Sequence, residues 1–395
     1  MDTQEKLDIL SADAQYDLSC ACGTKNPLEH RKRNATGDGW LYPMSTASGG
    51  SGIILKTLLG NRCANDCKYC PLRAQQDFHP VALSPYEMAS FFFEFQLKRP
   101  LIGIFLSSAV MGNADKTMDM LVATAEILRK HYRYKGYIHL KIIPGASRAS
   151  IDAALCYASA VSLNIEAPGV KHFSKLTDRK DYQKDIIDPL VYIGKQTSKN
   201  GRYKRVHTSS QFIVGASDEV DKEILFYGSR MYSELNMGRL YFSAYQSGLG
   251  DPSIPGEQRR ETLVQQPWVQ PSLFGEELQV TNEVAKESLI REHRLYQADW
   301  LLRKYSFSYE DLIFEKSGNL SMEKDPKLVW AEHHQDYFPI SVKQGTKEQL
   351  LRVPGIGPAF ADRIVAGRKH AVLSNLEDLH LPSHCLQKAE GYLHI

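Results

Sequence analysis

The sequence lacks any apolar run that is long enough to cross a lipid bilayer. Its longest such run, LIGIFLSSAV at 101–110, falls well short of the ~18 residues that a membrane helix needs, and it suits a buried strand. The opening residues, MDTQEKLDILSADAQYD, are polar and acidic, and they contain no basic segment followed by an apolar one. A secretory signal has that pattern, so we expect a cytoplasmic protein that makes no membrane contact.

The chain also lacks an excess of charge of either sign. Lys and Arg total 48 against 46 Asp and Glu in 395 residues, so the formal net charge is only +2. This balance excludes a protein that coats nucleic acid along its whole surface, because such proteins are strongly basic. Any contact with nucleic acid must therefore be local. One candidate is the run KQTSKNGRYKR at 195–205, which contains no acid, although such runs are also common in solvated loops.

Cysteine is scarce, and its placement is informative. Seven cysteines in a chain of this length do not indicate a disulfide framework. Three of them, Cys63, Cys67 and Cys70, lie close together in the segment LLGNRCANDCKYCPL, directly after a strand-like run. Three neighbouring thiolates can hold three irons of a cubane iron–sulfur cluster and leave the fourth iron open for another ligand.

A structural zinc site is the alternative for this loop. It would need a further ligand, which Cys20, Cys22 or His79 could supply. Zinc ribbons use paired cysteines, however, and the spacing here is not paired. The spacing therefore favours an iron–sulfur site with one open position. Cys20 and Cys22 are too few for a second metal site, and their role stays open.

Between residues 52 and 246, short strand-like runs alternate with longer segments of helical periodicity. In one of these segments, Met118, Leu121, Val122, Ala125 and Leu128 repeat every three or four residues, as one buried helix face requires. The alternation predicts the α/β class, with a parallel sheet and crossover helices that form an open sheet or a partial barrel. The predicted strands cover 53–59, 101–108, 137–143, 160–166, 209–215 and 239–245.

Two predicted strands end in Pro-Gly, which marks turns at the carboxyl edge where parallel sheets bind their ligands. In the run AVSLNIE, Ser162, Asn164 and Glu166 alternate with apolar residues and therefore share one strand face. Three polar side chains would be costly in a dry core. We expect this face to line a ligand site, and a solvent-facing edge strand is the alternative.

The cysteine loop resembles the signature of the radical S-adenosylmethionine (AdoMet) superfamily, Cys-x3-Cys-x-aromatic-Cys, with Tyr69 at the aromatic position. The resemblance covers residues 52 to about 246 and implies a partial (β/α)6 barrel. It also implies a [4Fe-4S] cluster on Cys63, Cys67 and Cys70, with AdoMet (S-adenosyl-L-methionine) bound through its methionyl group to the fourth iron. Cleavage of AdoMet would then give a 5′-deoxyadenosyl radical that abstracts hydrogen from a substrate.

The same resemblance implies AdoMet contacts at the strand ends. Ser107 and Ser108 stand where many members carry a Gly-Gly-Glu-type segment. Asn164 and Glu166 match the place where relatives contact the ribose or the amine, and Gln211 is a further candidate. A reductant such as flavodoxin or ferredoxin would supply the electron. The sequence assigns no catalytic residue beyond these contacts.

A second motif, QLLRVPGIGPAFADRIVAGRK at 349–369, consists of two apolar stripes joined by a tight turn. Gly355 and Gly357 permit backbone geometry that a side chain would block, and with Ile356 they would present N–H groups to an anion at a helix start. The segment resembles a helix-hairpin-helix motif, which implies binding of duplex DNA through its phosphates; a protein–protein module is the alternative. The neighbouring cations that would add positive charge are Arg363, Arg368 and Lys369.

The two motifs predict four parts of the chain. These are an N-terminal lead-in (1–50), the partial barrel (51–250), a linker with a helical extension (251–340) and a small all-α helix-hairpin-helix module (341–395). This combination resembles a group of radical AdoMet proteins of DNA modification and repair that gene neighbourhood links to uracil-DNA glycosylases. The resemblance implies an enzyme that acts on a DNA base or sugar. Two alternatives stay open: an RNA-modifying enzyme of the superfamily, and a non-catalytic DNA-binding iron–sulfur protein.

Overall fold

The computed structural model describes residues 1–14, 40–45, 51–77, 79–264, 276–368 and 375–395. The chain divides into two compact units. The first unit comprises Met1–Glu219 and Arg230–Leu289, and the second comprises Val220–Ser229 and Ile290–Ile395. Three residues that the sequence analysis singled out lie outside the described ranges, namely Cys20, Cys22 and Lys369.

The first unit is built on one seven-stranded sheet whose strands follow one another in sequence order. The first two strands pair antiparallel, and every later neighbouring pair is parallel. This curled, open sheet confirms the predicted α/β class. The strands are β1 (Leu41–Ser45), β2 (Ser51–Leu58), β3 (Gly103–Ser107), β4 (Tyr137–Lys141), β5 (Ala160–Ser162), β6 (His207–Val214) and β7 (Arg239–Ala244).

Helices follow most strands, and further helices complete the second unit. A π-helical turn over Ile127–His131 extends the third helix, and a second one over Tyr182–Ile187 precedes the sixth. The helices are α1 (Thr3–Asp13), α2 (Pro85–Lys98), α3 (Ala114–Glu126), α4 (Arg148–Tyr157), α5 (Val170–Leu176), α6 (Asp188–Thr197), α7 (Asp221–Leu235), α8 (Pro255–Val264), α9 (Glu276–Lys304), α10 (Pro326–His333), α11 (Lys347–Arg352), α12 (Pro358–Gly367) and α13 (Ser383–Ala389).

The sequential strand order places the crossover helices on one face of the sheet, because right-handed connections between consecutive parallel strands always return on the same side. Burial on β4 agrees with this arrangement. Ile138 and Leu140 are fully buried, whereas on the other face Tyr137 and Lys141 are half-buried and only the central His139 is buried. The face away from the helices is therefore the less tightly covered one, as in a partial barrel.

Local sequence signals set the start of α2. The Ser84 hydroxyl accepts a hydrogen bond from the Glu87 N–H, and the Glu87 carboxylate accepts one from the Ser84 N–H. Pro85 occupies the first turn, where its missing N–H has no cost. Phe92 is fully buried on the inner face of the helix.

Two parts of the sheet differ from the prediction. The predicted strand at 160–166 is shorter, because Glu166 has a left-handed backbone (φ 64°) and rejoins the sheet only through a bridge to Phe212. The predicted lead-in contains a short helix, α1, and a strand that was not predicted, β1. β1 contains Pro43, which weakens the strand pattern in the sequence. A proline is tolerated in this strand because β1 lies at the edge of the sheet.

The segment predicted as an all-α C-terminal module, 341–395, lies in the second unit, and its described part is not all-α. A parallel pair of two-residue strands, β8 (Ile340–Ser341) and β9 (Leu393–His394), joins the start of the module to its end. The pair forms because Ile340 and Leu393 are both buried in the core of the module. That core also contains Leu350, Leu351, Val353, Ile356, Ala361 and Ile364.

Within the described ranges, no helix combines the length and the apolarity that crossing a bilayer would require.

Candidate metal centre

The three cysteines lie in one loop at the carboxyl end of β2. Backbone hydrogen bonds join this cysteine loop (residues 60–77) to other loops at the same edge of the sheet. The Ala64 N–H donates to the Val110 carbonyl at 2.9 Å, beyond β3, and the Lys68 N–H donates to the Leu176 carbonyl at 2.8 Å, at the end of α5. The connections that follow three different strands therefore position the thiols.

Two charged side chains that the sequence analysis did not single out hold the cysteine loop. Asp66 accepts hydrogen bonds from the Thr177 hydroxyl at 2.5 Å and from the backbone N–H of Asp178 at 2.8 Å. Burial opposes ionisation of Asp66, but these hydrogen bonds outweigh it and lower the pKa of the carboxyl group. Arg73 donates to the carbonyls of Cys70 at 3.1 Å and Leu249 at 3.0 Å. These contacts join distant parts of the chain, so no local sequence pattern marks them.

Backbone N–H groups point at two of the three sulfur atoms. The Asn65 and Val110 nitrogens lie 3.4 Å and 3.5 Å from Cys63 Sγ, and the Leu72 nitrogen lies 3.4 Å from Cys70 Sγ. Donors of this kind stabilise thiolates and tune iron–sulfur clusters. Burial raises the pKa of the Cys63 and Cys70 thiols, so a metal that binds here must displace protons.

The donor set of the cysteine loop consists of three free thiols on one short segment. Among the described His, Cys, Asp and Glu side chains, no group of three forms a site for a single ion. Thiolates are the usual protein ligands of iron–sulfur clusters, and each thiolate of such a loop can bind a different iron of a cubane. The donor set therefore fits an iron–sulfur cluster.

The sequence-predicted Asn164 and Glu166 lie beside the cysteine loop. Glu166 accepts a hydrogen bond from the Tyr69 hydroxyl. Burial of Tyr69, together with the negative charges of Glu166, Cys67 and Cys70, raises the pKa of its phenol. Asn164 Nδ2 lies 3.5 Å from a Glu166 carboxylate oxygen. The fold thus brings these two strand-end residues and the thiols into one site.

Lys180 adds a positive charge to this site, and the sequence analysis missed it. Its ammonium group donates to Cys67 and lies close to Glu166. Burial alone would lower the pKa of Lys180, but the negative charges of Cys67 and Glu166 outweigh burial and raise it. A cation in this position offsets part of the negative charge that three thiolates bring together.

The other predicted AdoMet contacts lie along the same edge of the sheet. Gln211 is buried, and within the described ranges its Nε2 has no hydrogen-bond partner. An orphaned buried donor of this kind fits a ligand that accepts a hydrogen bond. Ser108 already donates to the Gly60 carbonyl at 3.4 Å, and the carbonyl of the buried Ser107 accepts from the Leu59 N–H at 2.9 Å. Both serines therefore have a role within the protein itself.

The predicted hairpin forms two short helices, α11 and α12, joined by a tight turn. Gly355 has φ 82°, and a Cβ atom there would lie 2.4 Å from the Cys385 carbonyl oxygen. Ile356 is buried, and its N–H donates to the Val353 carbonyl at 3.1 Å. Gly357 is the N-cap residue of α12. The turn therefore needs glycine at Gly355, while Ile356 is engaged inside the module.

The two described cations of the hairpin differ in their exposure. Arg363 is exposed, and its guanidinium lies 5.0 Å from the centre of the Phe360 ring. Arg368 is half-buried and donates to the Gly345 carbonyl at 2.6 Å. Arg363 is thus the more accessible of the two to an external anion.

A buried lysine supports the carbonyl side of the turn. Lys327 of α10 donates from Nζ to the Ile356 carbonyl at 2.5 Å and lies 4.7 Å from the centre of the Tyr305 ring. Burial lowers the pKa of Lys327 to about 7. Because Lys327 already donates to the Ile356 carbonyl, we expect a ligand of the hairpin to approach the backbone N–H groups of the turn instead.

No protein-family model matches the chain, and no curated protein matches it either. Solved structures with a distantly similar fold include HydG, described as a maturase of the FeFe-hydrogenase, at 12% identity and a TM-score of 0.42. That match covers 61% of this chain and 49% of HydG, so the chain spans about half the length of that protein.

Two further structures show a likeness of the same degree. Methylornithine synthase (PylB) has 11% identity and a TM-score of 0.42, with 89% of this chain and 81% of that protein covered. HydG from Carboxydothermus hydrogenoformans has 12% identity and a TM-score of 0.41, with coverages of 82% and 79%.

Asp66→Asn is expected to lower the free energy of unfolding by about 1.5–3 kcal/mol at neutral pH, because it removes a charged acceptor of two hydrogen bonds. The folded-state pKa of Asp66 lies below its ordinary value of 3.8, so this stabilisation is complete above that pH and is lost as the pH falls. The difference in the free energy of unfolding between Asp66→Asn and the wild type should therefore become smaller in acid. Denaturant unfolding at neutral and acidic pH measures it, with Asp119→Asn, an exposed position on α3, as the control; equal losses in both variants would contradict the assignment.

Gly355→Ala is expected to destabilise the second unit by about 1–3 kcal/mol, because the new Cβ is strained at positive φ and meets the Cys385 carbonyl. Gly367→Ala at the end of α12 is the matched control, since its Cβ would meet no atom within 4 Å. That control should be neutral or slightly stabilising. Thermal unfolding of both variants distinguishes them, and a neutral Gly355→Ala would show that the turn does not require glycine.

Proposed function

We propose that the chain is a radical AdoMet enzyme whose [4Fe-4S] cluster is held by Cys63, Cys67 and Cys70. The observation that carries the proposal is the cysteine loop, in which three free thiols lie at one edge of the sheet beside Glu166 and Lys180. When bound, such a cluster would supply one electron to AdoMet and yield a 5′-deoxyadenosyl radical that abstracts hydrogen from the substrate.

The surrounding side chains would bind and orient AdoMet. Glu166 can accept hydrogen bonds from an amine or from ribose hydroxyls, and Asn164 beside it can donate or accept. The orphaned Nε2 of Gln211 can donate to the same ligand. Lys180 would lower the electrostatic cost of gathering the thiolates. Ser107 and Ser108 would contribute through the backbone of the β3 end, because the Ser108 hydroxyl is engaged with Gly60.

Cys67→Ala is expected to abolish reductive cleavage of AdoMet, because the cluster loses one of its three protein ligands. The assay is anaerobic reconstitution with iron and sulfide, followed by dithionite and AdoMet, with 5′-deoxyadenosine as the measured product. Cys156→Ala is the matched control, since Cys156 is exposed and lies outside the site. If the Cys67 variant still releases 5′-deoxyadenosine at the wild-type rate, the ligand assignment is wrong.

We further propose that the substrate is a base or sugar of DNA, which the enzyme modifies or repairs. The support is the C-terminal module, where Gly355 and Gly357 shape a turn at the start of α12 and Arg363 lies exposed beside it. Helix starts and guanidinium groups are common phosphate ligands. A nucleotide would have to leave its stack to reach a site at the sheet edge.

Two other functions fit parts of these observations. An RNA-modifying enzyme would use the same hairpin to hold the backbone of structured RNA. A DNA-binding protein with a structural or redox-sensing cluster would bind DNA but release no 5′-deoxyadenosine. A reductant such as flavodoxin or ferredoxin would be needed only by the two enzymes. Functional cooperation with a uracil-DNA glycosylase would favour the DNA enzyme.

Arg363→Gln is expected to weaken binding of duplex DNA by about two- to fivefold and to reduce the salt dependence by about one phosphate contact. Fluorescence anisotropy with the full-length protein measures both quantities, and Lys316→Gln is the control because Lys316 is also exposed in the second unit. A parallel titration with transfer RNA separates the DNA enzyme from the RNA enzyme. Tighter binding of transfer RNA, with no effect of Arg363→Gln on DNA, would contradict the DNA proposal.

A further inference from the structure

The helix-covered side of the first unit carries a basic surface that the proposed chemistry does not use. We define this basic surface by the cations Arg148, Lys195 and Arg202 and by the rings of Tyr192 and Tyr203. All three cations are exposed, and both rings are half-buried. The run at 195–205 extends the surface with three more exposed cations, namely Lys199, Lys204 and Arg205.

The fold brings Arg148 to this run from a separate element. Arg148 begins α4, and its guanidinium lies 5.3 Å from the centre of the Tyr192 ring on α6. Arg148, Tyr192 and Lys195 line one cleft of about 400 Å³. Beyond α6, the Tyr203 N–H donates to the Gln196 carbonyl at 2.9 Å, which ties the following loop to the helix end.

One acidic side chain, Asp152, lies near both rings and is hydrogen-bonded to one of them. The Tyr192 hydroxyl donates to Asp152 Oδ2 at 2.9 Å. Burial, followed by the charge of Asp152, raises the pKa of both Tyr192 and Tyr203. The second guanidinium, that of Arg202, lies 5.2 Å from the centre of the Tyr203 ring. Each guanidinium therefore lies near an aromatic ring. The ring beside Arg148 is fixed by its hydrogen bond to Asp152, which limits the loss of freedom of Arg148 on binding an anion.

The cations of this surface are not neutralised by the protein. In the parts of the chain that the structure describes, none of Arg148, Lys195 and Arg202 forms an ion pair. Two acids lie near these cations: Asp188, which lines the cleft, accepts from Gln183 Nε2 at 2.7 Å, and Asp152, one turn after Arg148, accepts from the Tyr192 hydroxyl at 2.9 Å. On a chain of net charge +2, six cations gathered in this way leave a local positive field.

We propose that the basic surface binds the phosphate backbone of a nucleic acid as a second contact, separate from the hairpin. Guanidinium groups bind phosphates in a directed way, and lysines beside them add point charges along a strand. A lipid headgroup would use the same chemistry, but the only large exposed apolar side chain lining the described cleft is Val191, too little to enter a bilayer. The inference rests on the proposed function in that it assumes a nucleic-acid substrate.

The test compares two triple variants of the full-length protein. Arg148→Gln, Lys195→Gln and Arg202→Gln together remove the three defining cations of the basic surface. Lys98→Gln, Lys116→Gln and Lys135→Gln remove the same charge from exposed sites elsewhere on the first unit. Anisotropy titrations measure binding of the protein to a labelled single strand of nucleic acid, to its duplex and to vesicles of anionic phospholipid. Each titration is repeated at several salt concentrations.

The surface variant should bind nucleic acid roughly tenfold more weakly than the control variant, with a salt slope lower by about 2 to 3. Equal nucleic-acid binding by the two variants would overturn the inference, as would a loss confined to the vesicles. AdoMet cleavage without nucleic acid is measured in parallel and should be unchanged in both variants. If the wild type does not cleave AdoMet but binding still depends on the surface, the proposed enzyme fails and the surface stands.

Discussion

Hydrogen bonds that converge on the cysteine loop from other loops determine where the three thiols lie. The Val110 carbonyl comes from the connection after β3, and the Leu176 carbonyl and the Thr177 hydroxyl come from the end of α5, yet all three reach residues 64–68. Arg73 adds a link to the segment beyond β7. This convergence follows from the sequential strand order, which brings every strand–helix loop to one edge. The thiols are therefore preorganised by the sheet and do not depend on the metal alone.

Charge compensation is the second requirement of the site. Three thiolates and Glu166 would repel one another in a buried place, and burial already raises the pKa of Cys63 and Cys70. The N–H groups aimed at these sulfur atoms and the ammonium group of Lys180 reduce that cost. Bound iron would supply the remaining positive charge. Binding of the cluster and deprotonation of the thiols should therefore be one coupled process.

The sequence patterns predicted the elements that depend on local signals. The helix at 85–98 is marked by a capping box and an apolar stripe, and the cysteine loop is marked by its spacing. The contacts that complete the site were not predictable, because Asp66, Lys180 and Arg148 gain their partners through the fold and belong to no motif. The strand predicted at 160–166 is longer than the observed one for a related reason. Its alternating pattern persists to Glu166, but the backbone turns left-handed there to place the carboxylate beside the cysteine loop.

The central claim is that the cluster has one iron that no protein side chain occupies. Electron paramagnetic resonance of the dithionite-reduced protein, with and without AdoMet, tests it most directly. A reduced cubane with an open iron should give a signal whose g values shift when AdoMet is added, because the amine and carboxylate bind that iron. An identical signal in both samples, or protein isolated without oxygen that contains zinc and no acid-labile sulfide, would contradict the account.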